Sequence, residues 1–392
     1  MKKGWQTKTL GEVLEKTETV NPLQSPKTEF DYIDVSSVSN TTFQIEETQR
    51  LKGKDAPSRA RKVVRTNDII FATIRPTLQR IAVVPEHLDK QVCSTGYFIL
   101  RPKPGIDHRF VFYSLFTENF IGHMESLQKG ASYPAVTDGD VRAQEIPVPP
   151  LAEQQRIVGV LDEAFEGLAT AKANAEKNLQ NARALFESHL QSVFTQRGPR
   201  WVEKPLGEIA DLLDCLHKTP TYAESGFPMV RVTDINPGFL DLSKTRKVDE
   251  QTFIAFSKGR TPRVGDIVFS RVGSCGVSAL VNSDEPFCLG QNTVFILPKM
   301  NLMLLYHFLN SPNAKEQFEG FIDGTTQPTI SMKSIRQVAV PIAPPAEHSR
   351  LVASLDSMRE ETQHLARLYE RKHAALEALK KSLLHQAFTG AL

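Results

Sequence analysis

Seven basic residues crowd one sixteen-residue stretch of this chain. Arg50, Lys52, Lys54, Arg59, Arg61, Lys62 and Arg65 stand there with only Asp55 against them. A second run, Lys244, Arg246, Lys247, Lys258, Arg260 and Arg263, stands against Asp249 and Glu250. Each run precedes a turn, Asn67-Asp68 or Gly265-Asp266, that feeds an apolar segment. Cations gathered in this way suit a polyanion; phosphate contacts give affinity that ignores base sequence and falls steeply with salt. The net charge is only +2, so an anionic partner is met by local patches, not by the whole surface. Taken singly, either run reads as a solvated loop. Recurrence in both halves favours phosphate binding.

Reading bases needs side chains that reach groove edges: Arg or Lys for guanine, Asn or Gln for adenine, Ser or Thr for either. Two Gly-polar-Pro loops, GASYPAV at 130–136 and GTTQPTI at 324–330, offer such groups. Lys129, Ser132 and Tyr133 are the candidates at the first, and Thr325, Thr326 and Gln327 at the second. Arg75 and Arg80, with Gln79, and Arg231 and Arg271, with Ser274, lie in or just after predicted strands. Arg59, Arg61, Lys62, Lys258 and Arg260 from the basic runs complete the expected DNA-contact set.

Catalytic signatures are missing. There is no GxxxxGK[ST] loop, no GxGxxG after a strand, no GxSxG elbow and no HExxH. Asn21-Pro22-Leu23 and Asn236-Pro237-Gly238 are not the Asn-Pro-Pro-aromatic loop that holds a flipped base in amino-methyltransferases. The four cysteines form no CxxC pair, and Cys93 and Cys288 fall at similar places inside apolar runs, as buried residues do. The ten histidines are scattered. The expectation is no catalytic residue, no cofactor and no metal. Met1-Lys2-Lys3 is followed by no apolar run, and no stretch of about 18 apolar residues appears, so the expected compartment is the cytoplasm.

The elements that must position these residues come in duplicate. Residues 146–162, IPVPPLAEQQRIVGVLD, reappear 194 residues later as VPIAPPAEHSRLVASLD at 340–356. Pro147, Ala152, Glu153, Arg156 and Leu161-Asp162 match Pro341, Ala346, Glu347, Arg350 and Leu355-Asp356 without a gap. LFESHLQSVFT at 185–195 falls on LKKSLLHQAFT at 379–389 at the same offset. Each half opens with Trp five residues before Leu-Gly-Glu (Trp5, Trp201). Short β-rich runs follow, YIDVSSV, DIIFATI, IAVV and YFIL in the first half and MVRVTDI, DIVFSRV, VSALV and TVFIL in the second. Amphipathic helices are predicted at 109–124 and 302–310. After each Pro-rich hinge the apolar residues recur at alternating steps of four and three, a heptad seam. Ile157, Leu161, Leu168 and Leu185 mark it in the first copy, and Leu351, Leu355, Leu365 and Leu379 in the second. A rod with one apolar stripe must bury it, and the simplest partner is its own duplicate, packed antiparallel.

The fold class expected is α+β: two similar mixed domains separated by two long antiparallel helices, a pseudo-two-fold tandem duplication. The boundaries read 1–150 and 198–344 for the globular domains, and 151–197 and 345–392 for the helices. Sequence scaffold is alike in the rods and divergent in the contact regions.

The PPLAEQ-RI motif at half-length, the Trp…Leu-Gly-Glu openings and the ending QAFTGAL resemble the specificity subunit of type I restriction–modification systems. The second copy departs from the motif, with Pro345-Ala346-Glu347-His348 for Leu151-Ala152-Glu153-Gln154. The resemblance implies that each globular domain reads one half of a split site on double-stranded DNA. It implies further that the helices set the spacer and dock two modification subunits, with restriction subunits joining that core. No base contact carries over residue by residue. A coiled-coil adaptor that binds only proteins is the competing reading, and a self-sufficient methyltransferase is a third. Salt-dependent retention on DNA separates the first two.

Overall fold

The computed structural model describes residues 4–130, 132–257, 260–324 and 328–392. The chain divides into two compact units, Met1–Ala175 with Arg371–Leu392, and Glu176–Glu370. Each unit holds one β-rich body and a stretch of each long helix.

In the first unit, strand Gln6–Thr9 pairs antiparallel with Glu145–Val148. This closes the β-rich body where the helix begins. Thr9 and Glu12 form a reciprocal capping box over Leu10–Val13, the Leu-Gly-Glu opening of the sequence. Strand Ile69–Ala72 is central to a sheet with Ile81–Val83 and Tyr97–Leu100, all antiparallel. All four of its residues are buried. Ile69 and Phe71 pack on Val111, Phe120 and Met124 of two helices and on Leu115 at the end of the first, and Ile70 and Ala72 face Ile33 and Cys93 of a second sheet. Burial on both faces explains why this strand reads as an unbroken apolar run. The second sheet has the order Gln49–Lys52, Glu29–Ile33, Val92–Ser94, Ala60–Val63.

The second unit repeats the plan. Val202–Pro205 pairs with Ala339–Ile342. Ile267–Ser270 lies between Ser278–Leu280 and Thr293–Pro298, and Ala210–Asp214 adds an outer strand. Phe227–Val230 lies between Arg246–Val248 and Cys288–Leu289. Among the described residues this sheet has no counterpart of edge strand Ala60–Val63; within the basic run, between Lys247 and Lys258, the chain forms helix Glu250–Ser257. The two basic runs therefore sit on unlike elements.

Local differences from expectation have local causes. YIDVSSV is a strand only to Ile33; Asp34 and Ser37 then cap one another and turn the backbone. Arg231 and Asp234 do the same after Val230. The helix predicted over 109–124 is two, His108–Ser114 and Glu118–Leu127, because Thr117 caps the second. The matched cysteines are one register apart: Cys93 pairs with Ile33, Cys288 with Met229, so they face different layers.

Each long helix has 45 residues, Leu151–Thr195 and Pro345–Thr389, about 68 Å at 1.5 Å per residue. Pairing is antiparallel within each unit. In the first, Ile157 and Leu161 share a core with Leu384 and Ala387, and Lys172 meets Glu377 at 2.8 Å. In the second, Leu190 and Phe194 share a core with Leu351 and Leu355, and Arg183 meets Glu370 at 3.1 Å. Ala175 and Ala182 are buried, the small side chains letting backbones approach.

The seam is not a heptad. Buried or half-buried positions run 157, 161, 164, 168, 171, 175, 178, 182, 186, 189 and 193, ten steps in 36 residues. The second helix gives 351, 355, 358, 362, 366, 369, 373, 376, 380, 384 and 387, the same count. That is the 3.6-residue period of an α-helix, not the 3.5 of a coiled coil. A 3.5 template keeps step from 157 to 182 in the first helix and is one residue behind at 186; in the second it is behind at 366. Hence Leu185, Leu365 and Leu379, expected inside, are 48%, 36% and 47% exposed, and Phe186, Ala366 and Lys380 take their places. Leu168 is half-buried, and Ile157, Leu161, Leu351 and Leu355 are buried. Lys380 lies with its ammonium 5.3 Å from the Phe43 ring and 5.4 Å from that of Phe165. Burial lowers its pKa, and Glu377 pulls the other way.

The matched aspartates tie each β-rich body to a long helix. Asp162 accepts from the Tyr113 hydroxyl; Asp356 accepts from His307 Nε2 at 3.0 Å. His307 is 1% exposed, against Phe186 and Tyr306, and Arg359 shares Asp356. Burial holds its pKa below the ordinary value, more strongly than Asp356 raises it. The sign follows. The folded state refuses a proton that the unfolded chain accepts, so stability falls as pH drops through the unfolded value of about 6.5. Urea unfolding followed at Trp201 should show a midpoint that declines below neutral pH. His307→Phe should flatten that decline. An identical pH profile in the variant would remove His307 as its source.

Candidate nucleic-acid interface

In each unit, the backbone after the central strand is clipped to the Gly-polar-Pro loop. In the first unit Ile74 bridges Ala135, Arg75 N–H donates to Pro134 O at 2.7 Å, and Lys129 and Ala135 exchange bonds of 3.0 Å. In the second, Val272 bridges Thr329, Gly273 N–H donates to Pro328 O at 3.0 Å, and Asp323 and Thr329 exchange bonds of 3.0 Å. The scaffold is the same. The side chains on it are not. Arg75 stands where the other unit has Gly273, and both are left-handed, with φ of 50° and 71°.

Arg75 adopts this conformation next to Pro76, where the preceding residue is sterically pushed towards extended backbone. Its guanidinium lies 5.0 Å from the centroid of the Tyr133 ring, and Nη2 donates to Ser132 O at 3.5 Å. Tyr133 is 71% exposed, the most exposed large apolar-bodied side chain among the described residues. Arg75, Ser132 and Tyr133 are thus brought together, with Lys129 at the base of the same loop. Arg59 is exposed and makes no ion pair among the described residues.

Other expected contact residues are internal ties. Lys62 Nζ donates to Tyr97 O at 2.7 Å and to Asp138 at 2.9 Å. Arg80 Nη1 donates to Val35 O and Val38 O, both at 3.0 Å. Arg231 grips Asp234 at 2.8 and 2.9 Å, and Arg260 Nη2 donates to both oxygens of Asp266 at 2.7 and 2.9 Å. Arg61 donates to Ala60 O. A cation held by a half-buried acceptor is not available to a phosphate without breaking that bond. Lys258, Thr325, Thr326 and Gln327 lie outside the described residues. The first basic run is also partly neutralised: Arg50 meets Asp31 at 2.9 Å, Lys52 meets Glu29 at 3.9 Å and Arg65 meets Glu18. These pairs are exposed, worth less than about 1 kcal/mol each, and can exchange for phosphate.

The family description "Type I restriction modification DNA specificity domain" matches residues 2–179 and again residues 199–370. The chain belongs to this type I specificity family. A solved chain from "Structural basis underlying complex assembly and conformational transition of the type I R-M system" gives a TM-score of 0.87 at 29% identity, over 100% of this chain and 99% of that one. The HsdS subunit from Thermoanaerobacter tengcongensis gives 0.66 at 28% identity, over 100% and 98%. The EcoKI specificity subunit of Escherichia coli (strain K12) is 24% identical over 331 residues, 76% of this chain and 69% of that protein. The match to the EcoBI specificity subunit of Escherichia coli, 22% identical, spans 63% of this chain and 58% of that relative.

In this specificity chain the second unit offers a different polar cluster. Arg271 Nη2 is 3.1 Å from His217 Nε2, and His217 Nε2 is 2.9 Å from Asp214. Ligand atoms of Asp214, Cys215 and His217 lie within 4.8 Å of one another. Three donors fall short of the four of a structural zinc site, and the guanidinium in contact disfavours a cation. Burial pushes the Cys215 thiol up, away from the thiolate that a metal needs. No helix among the described residues is long and apolar enough to cross a membrane.

Sequence reasoning overlooked the buried carboxylates of the matched turns. Arg101 Nε and Nη2 donate to Asp68 at 2.9 and 2.8 Å, with Asp68 1% exposed. Asp68 also accepts from Arg65 N–H, as Asp266 does from Arg263 N–H. The signal was the Asp shared by Asn67-Asp68 and Gly265-Asp266. Its arginine could not be found by offset, because Arg101 comes from one end of the sheet and Arg260 from the run before the turn.

Proposed function

We propose that this specificity chain recognises a two-part DNA target, one half-site per globular unit, and that it does so without catalysing a reaction. The observation that carries the reading is the duplicated clip bearing unlike side chains, Arg75 against Gly273, on otherwise matched backbone. One scaffold with two sets of readers fits an asymmetric bipartite site. The paired helices link the readers and would set the spacer, and their exposed leucines, Leu185, Leu365, Leu368 and Leu379, leave apolar surface for docking modification subunits, with restriction subunits added to that core. Half-site separation should be near one duplex turn or a small multiple, since both readers must face the same side of the helix.

The test lengthens both helices by one turn, at matched points in each. Methylation-site sequencing of the assembled system should then report unchanged half-sites and a longer spacer. An unchanged spacer would refute the ruler role. Altered half-sites would refute the separation of reading from spacing.

A further inference from the structure

Among the arginines expected to meet DNA, five kinds of environment occur. Arg59 is exposed, with no ion pair among the described residues and no ring beside it to fix its guanidinium. Arg80, Arg231 and Arg260 hold internal acceptors at 3.0 Å or less. Arg271 is largely covered, beside Asp214 and His217. Arg61 caps its neighbour's carbonyl. Arg75 alone combines exposure, a stacking partner and a weak internal bond: Tyr133 lies beneath it and Ser132 O is 3.5 Å away.

Stacking narrows the orientations of a guanidinium without using its N–H groups. An arginine so held presents a planar fork, and that fork matches the O6 and N7 acceptors of guanine in the major groove. The backbone adds a second argument. A left-handed, pre-proline arginine is unfavourable for folding, and glycine would adopt the same conformation freely, as Gly273 does in the other unit. Folding therefore gives no reason for arginine here. Its side chain points to a role outside the fold.

We propose that Arg75, braced on Tyr133, reads a guanine in the half-site of the first unit, and that the second unit, with Gly273 at the matched place, has no counterpart of this contact. The inference rests on the two-reader function above and adds which residue reads and which base it takes. A phosphate contact by the same side chain is the competing outcome, and it differs in what it does to sequence preference.

Arg75→Gly tests it with little risk to the fold, since it installs the residue that the second unit already carries at this clip. The full chain is assembled with its modification subunits, and methylated sites in genomic DNA are compared with those of the parent complex. The expected result is relaxed discrimination, by about 10- to 100-fold, at one G·C position of one half-site, with the other half-site and the spacer intact. Arg75→Lys should keep some binding yet relax the same position, because an ammonium lacks the fork. An unchanged site for Arg75→Gly would overturn the inference. So would a uniform loss over all sequences with a shallower salt dependence, the mark of a phosphate contact. If the parent complex itself showed no two-part site, the functional reading would fall and this inference with it; a two-part site indifferent to Arg75→Gly sinks the inference alone.

Discussion

Asp68→Asn should destabilise the first unit by about 3–5 kcal/mol, because it leaves the Arg101 guanidinium buried and uncompensated. The pair is bidentate, at 2.9 and 2.8 Å, with both side chains nearly covered. Glu18 reaches Arg101 only at 3.5 Å and is itself half-exposed, so it cannot replace the lost charge. Asparagine keeps the shape and one acceptor, but its NH2 group then faces an N–H donor of Arg101 or Arg65, so the loss combines the charge with the hydrogen bonds of one oxygen. Adding Arg101→Met should recover most of the stability, since an apolar side chain asks for no counter-ion there. The two units need not unfold together, and a single transition should not be assumed. Each unit holds one of the two tryptophans, Trp5 in the first and Trp201 in the second. Trp201→Phe leaves Trp5 to report the first unit during urea unfolding. A loss below about 1 kcal/mol for Asp68→Asn would show that solvent or Glu18 already compensates Arg101.

Leu355→Ala is the second large effect, with an expected cost of about 2–5 kcal/mol in the second unit. Leu355 is fully buried beside Leu351, Leu190 and Phe194, and its removal leaves a cavity that two rigid helices cannot close. Leu365→Ser and Leu379→Ser make the contrast. A heptad seam would bury both, and each would then cost as much as Leu355. On the observed seam both lie outside, and each change should stay within about 0.5 kcal/mol in the isolated chain. Thermal melts of the three variants separate the two periods directly. Large losses at Leu365 and Leu379 would restore the heptad.

Much of the candidate site was legible, though unevenly. The Gly-polar-Pro loops led directly to Ser132 and Tyr133, because glycine and proline mark a loop and exposed polar groups on a loop are available to a partner. Charge runs were a poorer guide. Lys62 and Arg65 belong to the first run, yet Lys62 meets Asp138 and Arg65 meets Glu18, acids 76 and 47 residues away in sequence. Counting nearby acids cannot reveal a counter-ion that folding delivers from elsewhere. The same applies to Arg260, whose partner Asp266 looked only like part of a turn.

By itself the sequence determined the doubling, the two long helices, the apolar central strands and the loops that close on them. These are local or repeated patterns: a helix period, a strand run, a turn, a match at fixed offset, each written in residues near one another. Only the tertiary structure decided which face of each rod is inward and which exposed arginine is braced on a ring. The inward face depends on the helix's own 3.6-residue pitch accumulated over 45 residues, so a small error in period moves Leu365 and Leu379 from inside to outside. The bracing of Arg75 depends on what lies above a left-handed turn, Tyr133 from a loop nearly sixty residues on, and no neighbour in sequence records it.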